Sequence, residues 1–270
     1  MRKNDHIPNK QILSELLEGA IKAAIAPSGK ILEHFGASTL SVQSKQDGSP
    51  VTPADQEAEE IVREVLVSET SIGRIDILGE ERGFHGSGTP LRWTIDPIDG
   101  TRSFVQGIPL FGTIVALQDT INNRALLGVI HLPVFNKTYS AARGLGSWCN
   151  QTRLRVSTVA RPDEAIVAVG DPLQFSNAKL EKSYHRLGEL CPYLRGYSDC
   201  FGHTLVASGA VGAMMDPTLN PWDIMATQVL IEEGGGRILI RPSTVEGKVD
   251  ALFGSPDLIN CLSEELGFME

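Results

Sequence analysis

Apolar residues recur at helical spacing from Ile12 to Phe35, at Ile12, Leu16, Ile21, Ala24, Ile25, Ile31 and Leu32. That pattern predicts a helix with one apolar face. Ala26-Pro27 falls inside it, and an internal proline removes a backbone donor, so the helix should kink or restart there. Residues 44–53, SKQDGSPVTP, have no apolar period and contain Gly and two prolines, which predicts a loop. Thr52 is then placed to cap a helix whose first turn holds Pro53, Asp55 and Glu57 and which runs to about Val67. Short β-type runs follow at Ile75–Leu78, Leu91–Ile95, Phe111–Leu117, Ala125–His131 and Lys137–Ala141. The last three form a meander that turns at Asn122-Asn123 and around Pro133.

Past Arg161-Pro162-Asp163, a plausible boundary, the pattern alternates. Ile166–Val169, Leu194–Tyr197, Ala213–Asp216, Arg237–Ile240 and Ala251–Gly254 read as strands. Asn177–Leu190, Gly202–Gly209, Pro221–Glu233 and Leu258–Leu266 read as helices, with Gly234-Gly235-Gly236 ending the third. Such alternation predicts an α/β fold with helices packed on sheet faces. The chain divides into an α+β half, residues 1–160, and an α/β half, residues 161–270.

Composition narrows the function classes. With 270 residues the chain can bury one large core or two modest ones. A net charge of −9 disfavours nucleic acid or an anionic membrane surface as partner. The N-terminus has charge but no apolar signal core, and no window approaches ~18 apolar residues, so neither a leader nor a membrane span is expected. Cys149, Cys191, Cys200 and Cys261 have no C-x-x-C spacing and read as reduced thiols of a cytoplasmic protein.

The chemistry is concentrated in acids that follow strands or open helices: Asp55, Glu80-Glu81, Asp96 with Asp99, and Asp223. Each has a structural reading of its own as a first-turn acid, a solvated turn or an Asx turn. The run Trp93-Thr94-Ile95-Asp96-Pro97-Ile98-Asp99-Gly100-Thr101 asks for more. Two carboxylates so close repel unless a cation lies between them, and oxygen-only ligands select Mg²⁺, Mn²⁺ or Ca²⁺. The Gly100-Thr101 step adds N–H groups and a hydroxyl suited to a phosphate. An EF-hand calcium loop is a poor match, because the D-x-D-x-D-G spacing and distal Glu are missing.

Taken in order, G-E-E, D-P-I-D-G-T and W-D resemble the inositol monophosphatase family of Mg²⁺-dependent, lithium-sensitive phosphatases, over residues from about 45 to 235. The resemblance implies a layered α-β-α-β-α sandwich, commonly a homodimer. It implies that Glu80, Asp96 and the Ile98 carbonyl hold one metal, and that Asp96, Asp99 and Asp223 hold a second, with Asp96 shared. A third metal would lean on Glu80 and waters. Two to three Mg²⁺ per site are implied, with Mn²⁺ as substitute and Li⁺ and Ca²⁺ as inhibitors. Gly100 and Thr101 would bind the phosphate, and Lys45 matches a loop lysine near the site. Water activated by metal would attack phosphorus, steered by Thr101 with Asp55 behind it and by Glu80, with no phosphoenzyme.

Catalytic motifs leave the alcohol open. Lys45, Arg195, Asp199 and Asp216 are the substrate candidates, the last three in Arg195-Gly-Tyr-Ser-Asp-Cys-Phe-Gly-His203 and Met214-Met215-Asp216-Pro217. The first segment resembles the histidinol-phosphatase branch. Charge agrees, because acids would attract the ammonium and imidazole of histidinol phosphate, whereas inositol offers neutral hydroxyls. A bisphosphate would need more cations than Arg195. myo-Inositol monophosphate is the second expectation, and a non-enzymatic interaction protein on the same fold the third. His203 and His185 read as packing or surface residues.

Overall fold

The computed structural model describes residues 7–37, 40–45, 48–70 and 72–269. Gln46 and Asp47 of the predicted loop, and the first six residues of the charged N-terminus, lie outside these. The predicted first helix is two, α1 (Lys10–Ile25) and α2 (Ser28–His34), with Pro27 at the restart. The loop after them carries a two-stranded pair, β1 (Gln43–Ser44) and β2 (Pro50–Val51). Helix α3 (Pro53–Glu69) starts after Thr52, as its capping signal predicts.

An eight-stranded sheet follows: β3 (Asp76–Gly79), β4 (Gly83–His85), β5 (Leu91–Asp99), then, after the short α4 (Thr101–Val105), β6 (Gly112–Asp119), β7 (Arg124–Leu132), β8 (Lys137–Ala142), β9 (Gly146–Cys149) and β10 (Thr152–Arg153). Its order is β10-β9-β8-β7-β6-β5-β3-β4, antiparallel throughout except where β3 runs parallel to β5. The second half supplies β11 (Ile166–Val169), α5 (Pro172–Asn177), α6 (Glu181–Leu190), β12 (Tyr193–Gly196), α7 (Asp199–Ala207), β13 (Ala213–Leu219), α8 (Pro221–Glu233), β14 (Arg237–Pro242), β15 (Val249–Gly254) and α9 (Pro256–Leu266). Its five strands are ordered β12-β11-β13-β15-β14. The helix predicted over 177–190 is broken by Lys179, whose φ of +57° ends α5 before α6 begins.

The layers are those of an α-β-α-β-α sandwich. Helices α1 and α3 cover the outer face of the first sheet, where Leu13, Leu16 and Ala20 meet Trp93, Ile95 and Leu117. Helices α7 and α8 lie between the sheets, and α8 touches β6–β9 on one side and β14–β15 on the other. Helices α5, α6 and α9 cover the far face of the second sheet. An interior helix must be apolar all round. In α8, Ile224, Ala226, Thr227, Val229, Leu230 and Ile231 are all buried. No helix among the described residues is long and apolar enough to cross a membrane. All four cysteines are free.

Gly128 of β7 lets α8 approach the first sheet. A Cβ there would lie 2.3 Å from the Ala226 Cα, with backbone rather than a mobile side chain in the way. Gly128→Val should therefore lower the free energy of unfolding by about 1–3 kcal/mol. It should also displace α8, which carries Asp223. Urea unfolding measures the first effect, and an unchanged midpoint would show that the contact can relax.

Candidate active site

Residues three apart on a regular strand face opposite sides of a sheet. Asp96 and Asp99 nevertheless converge, because β5 carries a bulge between them: Asp96 pairs with Ile114 and Asp99 with Gly112, three residues against two. Pro97 lies inside the bulge, where its missing N–H is not needed. The Thr113 hydroxyl secures it by donating to the Pro97 carbonyl at 2.8 Å. The Asp96 Oδ1 accepts from the Ile98 N–H at 3.0 Å, and the Asp99 Oδ2 accepts from the Cys200 N–H in the first turn of α7. Asp223 joins them from α8, and oxygens of all three carboxylates lie within 4.8 Å of one another.

Asp223 and Asp55 are held in the same way. Both stand at the third position of a helix opened by proline, and both reach back to cap it. Asp223 Oδ2 accepts from the Asn220 N–H at 2.8 Å, leaving Oδ1 buried without a partner. Asp55 Oδ2 accepts from the N–H and hydroxyl of Thr52 at 2.8 and 2.7 Å. Its Oδ1 faces the Thr101 hydroxyl at 3.4 Å, and that hydroxyl also lies 2.9 Å from the Ile98 carbonyl. Glu80 stands beside the trio, at the end of β3. Lys45 Nζ bridges it to Glu81, 2.6 Å from each.

The clustering shows in the protonation equilibria. Burial, then Glu80, Asp99 and Asp223, hold the Asp96 carboxyl well above the ordinary carboxylate range. Burial, then Asp199 and Asp223, do the same to Asp99. Burial and Glu80 push Asp223 up to about 8, and burial and Asp216 push Asp199 up to about 6. Burial also raises Asp55. Burial opposes the charge on Lys45, but Glu80 and Glu81 outweigh it and raise that amine above its usual value. An oxygen-only set with one buried, unpartnered carboxylate oxygen suits a hard divalent cation. Asp96, Asp99 and Asp223 could hold it, with Glu80 adjacent.

A cleft of about 270 Å³ opens at this point, lined by Ser49, Pro50, Glu80, Gly100, Thr101, Arg102, Asp171, Leu173, Gln174, Asn177 and Asp199. Gly100 turns the chain from β5 into α4 at φ +87°, and a Cβ there would lie 2.7 Å from the Leu110 carbonyl oxygen. Asp199 sits at φ +58°, an uncommon conformation for a residue with a Cβ, and its Oδ2 accepts from the Ser198 hydroxyl at 2.9 Å.

Two of the expected substrate residues are not among those that line this cleft. Asp216 does not line the cleft: it is buried in β13 with its Oδ2 3.0 Å from His203 Nε2 and its Oδ1 unpartnered. A register shift follows it in β13, and a Cβ on Gly170 would lie 2.3 Å from its Oδ1. Arg195 is also outside. It borders an adjoining recess with Asp171, Tyr184 and Ser198, and its Nη1 donates to the Leu194 carbonyl. Sequence reasoning missed the wall formed by Asp171, Leu173, Gln174 and Asn177. Its signal was present, since Asp171-Pro172-Leu173-Gln174 repeats the capping pattern of Thr52-Pro53-Ala54-Asp55 and Asn220-Pro221-Trp222-Asp223. His203 packs against Phe253, and His185 is exposed beside Tyr184.

Raised carboxyl values set the sign of a stability effect. An acid whose folded pKa exceeds its unfolded value, 3.8 for Asp, favours folding through its protonated form. That contribution is full below the unfolded value and is lost as pH rises through the folded one, about 6 for Asp199 and about 8 for Asp223. With a chelator present, thermal unfolding should therefore shift to lower temperature across this window, and a divalent cation should flatten the profile. A chelated protein that gains stability over the same window would contradict it.

Comparison with known proteins agrees with this geometry. The inositol monophosphatase family model matches residues 12–250. A histidinol-phosphatase of Chlorobaculum parvum is 37% identical over 229 residues, which cover 85% of this chain and 84% of that protein. An inositol-1-monophosphatase of Mesorhizobium japonicum is 31% identical over 251 residues, covering 88% and 89%. The solved structure of a Thermotoga maritima IMPase, 26% identical, superposes with a TM-score of 0.80 over 93% of this chain and 96% of that one. The family model spans residues 12–250, which include Asp55, Glu80, Asp96, Asp99 and Asp223, so this chain belongs to the inositol monophosphatase family and is a phosphoric monoester hydrolase.

Proposed function

We propose that the protein hydrolyses L-histidinol phosphate to L-histidinol and inorganic phosphate with Mg²⁺ at the acidic trio. The observation that carries this reading is Asp199, a cleft-lining carboxylate that no cation pairs among the described residues. It shares the cleft with Thr101 and with Asp171. A substrate with a phosphate at one end and an ammonium and imidazole at the other meets a donor-rich end and an acidic end. The similarity to the Chlorobaculum parvum protein supports the same choice.

In this reading the first half of the chain supplies Glu80, Asp96, the Ile98 carbonyl and Asp99, and the second half supplies Asp223 and the alcohol-binding wall. The N–H groups of Gly100 and Thr101 bind phosphoryl oxygens. Bound Mg²⁺ supplies Lewis acidity toward the phosphoryl oxygens and makes water more acidic. Asp55 holds the Thr101 hydroxyl, which orients the attacking water, and Glu80 accepts its proton. Water oxygen bonds to phosphorus as the bond to the alcohol oxygen breaks, and the departing alkoxide takes its proton from a solvent water. Lys45 Nζ, 2.6 Å from the Glu80 carboxylate, holds it in place beside the trio. Asp216 acts indirectly, through its charge on Asp199.

Asp99→Asn should lower kcat by several kcal/mol of transition-state stabilisation, or about a thousandfold. It should also raise the unfolding temperature of the chelated protein, because it removes one of the mutually repelling carboxyls. Near-normal turnover would take Asp99 out of the site. Phosphate release with Mg²⁺ from histidinol phosphate and inositol-1-phosphate, side by side, tests the alcohol: kcat/KM should favour the former. Asp199→Asn should erase that preference while sparing p-nitrophenyl phosphate. A higher kcat/KM for the inositol ester in the unmodified protein would replace histidinol phosphate with the inositol reading.

A further inference from the structure

We propose a second ligand site in this protein, a pocket for a small organic carboxylate with an apolar body, between the first sheet, α8 and the β14–β15 edge. The pocket has a volume of about 450 Å³. Its anchor is Arg92 of β5. Arg92 lines the pocket, and no carboxylate pairs with its guanidinium among the described residues. A guanidinium that lines a pocket without a countercharge favours an anionic occupant.

The surrounding groups fit one such anion. Arg92 Nη2 donates to Gln118 Oε1 at 2.7 Å, and Gln118 Nε2 donates to Asn123 Oδ1 at 2.7 Å, so the guanidinium is held in place at the pocket wall. Gln228 adds a further amide from α8. The opposite wall is apolar, with Ile224, Met225, Ile238 and Ile240. Glu232 is also present, but Arg143 engages its carboxylate. A phosphate dianion would want more than one cation, and a neutral apolar molecule would leave Arg92 unmatched. A monocarboxylate satisfies the guanidinium with one end and the apolar wall with the other.

The pocket is separate from the phosphate cleft, with which it shares no lining residue. Arg92 lies four residues before Asp96 on β5, roughly 13 Å along the strand. The site does not depend on which phosphate ester is cleaved.

Calorimetric titration of the metal-loaded full chain with 4-methylpentanoate and with phenylacetate tests the proposal, with 4-methylpentanamide as the neutral control. Saturable binding of either acid and none of the amide is expected. Arg92→Gln and, independently, Gln228→Trp, which fills the pocket, should each weaken it at least tenfold while leaving kcat unchanged. Absence of saturable binding to the unmodified protein would overturn the site, as would binding that survives both substitutions. So would competitive displacement by inorganic phosphate, which would place the acid in the phosphate cleft.

Discussion

Carboxylates gathered below a protein surface repel one another, and the backbone around Asp96, Asp99, Glu80 and Asp223 is arranged to hold them despite that. Main-chain donors do most of the holding. The Ile98 N–H takes one oxygen of Asp96, the Cys200 N–H one of Asp99, and the Asn220 N–H one of Asp223. A carboxylate has two oxygens, so a cap on one does not silence the other. Asp223 shows the division plainly, with a capped Oδ2 and an orphaned Oδ1. The helix-capping and chemical readings of these acids describe two halves of one side chain.

Both sheets are needed to bring the acids together. Asp96 and Asp99 come from β5, while Asp223 comes from the first turn of the helix packed between the layers. Position along α8 is therefore set by packing far from its N-terminus, against β7 through Gly128 and against β14–β15 through its other side. The site inherits its rigidity from the largest apolar core cluster among the described residues. Helix α7 contributes from the same middle layer, through the Cys200 N–H at Asp99 and the strained Asp199 at the cleft.

Much of this was legible in the sequence, for identifiable reasons. Helices opened by a cap residue and proline announce themselves, which is why α3 and α8 start where predicted. The strongly apolar strands at the centre of each sheet were equally plain. Strands β4, β9 and β10 were not, because strands of two to four residues at or beside the sheet edges carry little apolar pattern. The split between α5 and α6 depended on one residue in a left-handed conformation, and lysine does not advertise that. In the site, D-P-I-D-G-T and W-D identified the trio. They did not reveal Lys45 as a bridge between Glu80 and Glu81, nor Asp216 as a partner of His203, because those depend on tertiary register.

The bulge in β5 makes Asp96-Pro97-Ile98-Asp99 behave as a reading frame. Loops elsewhere can gain or lose a residue and change only their own path. Here one residue more or fewer swaps inside for outside, and a ligand becomes a side chain on the wrong face of the sheet. The spacing is thus an all-or-none quantity with no graded neighbours. An altered metal site on this scaffold is reachable by exchanging side chains, while changes of length in this segment close that route at the first step.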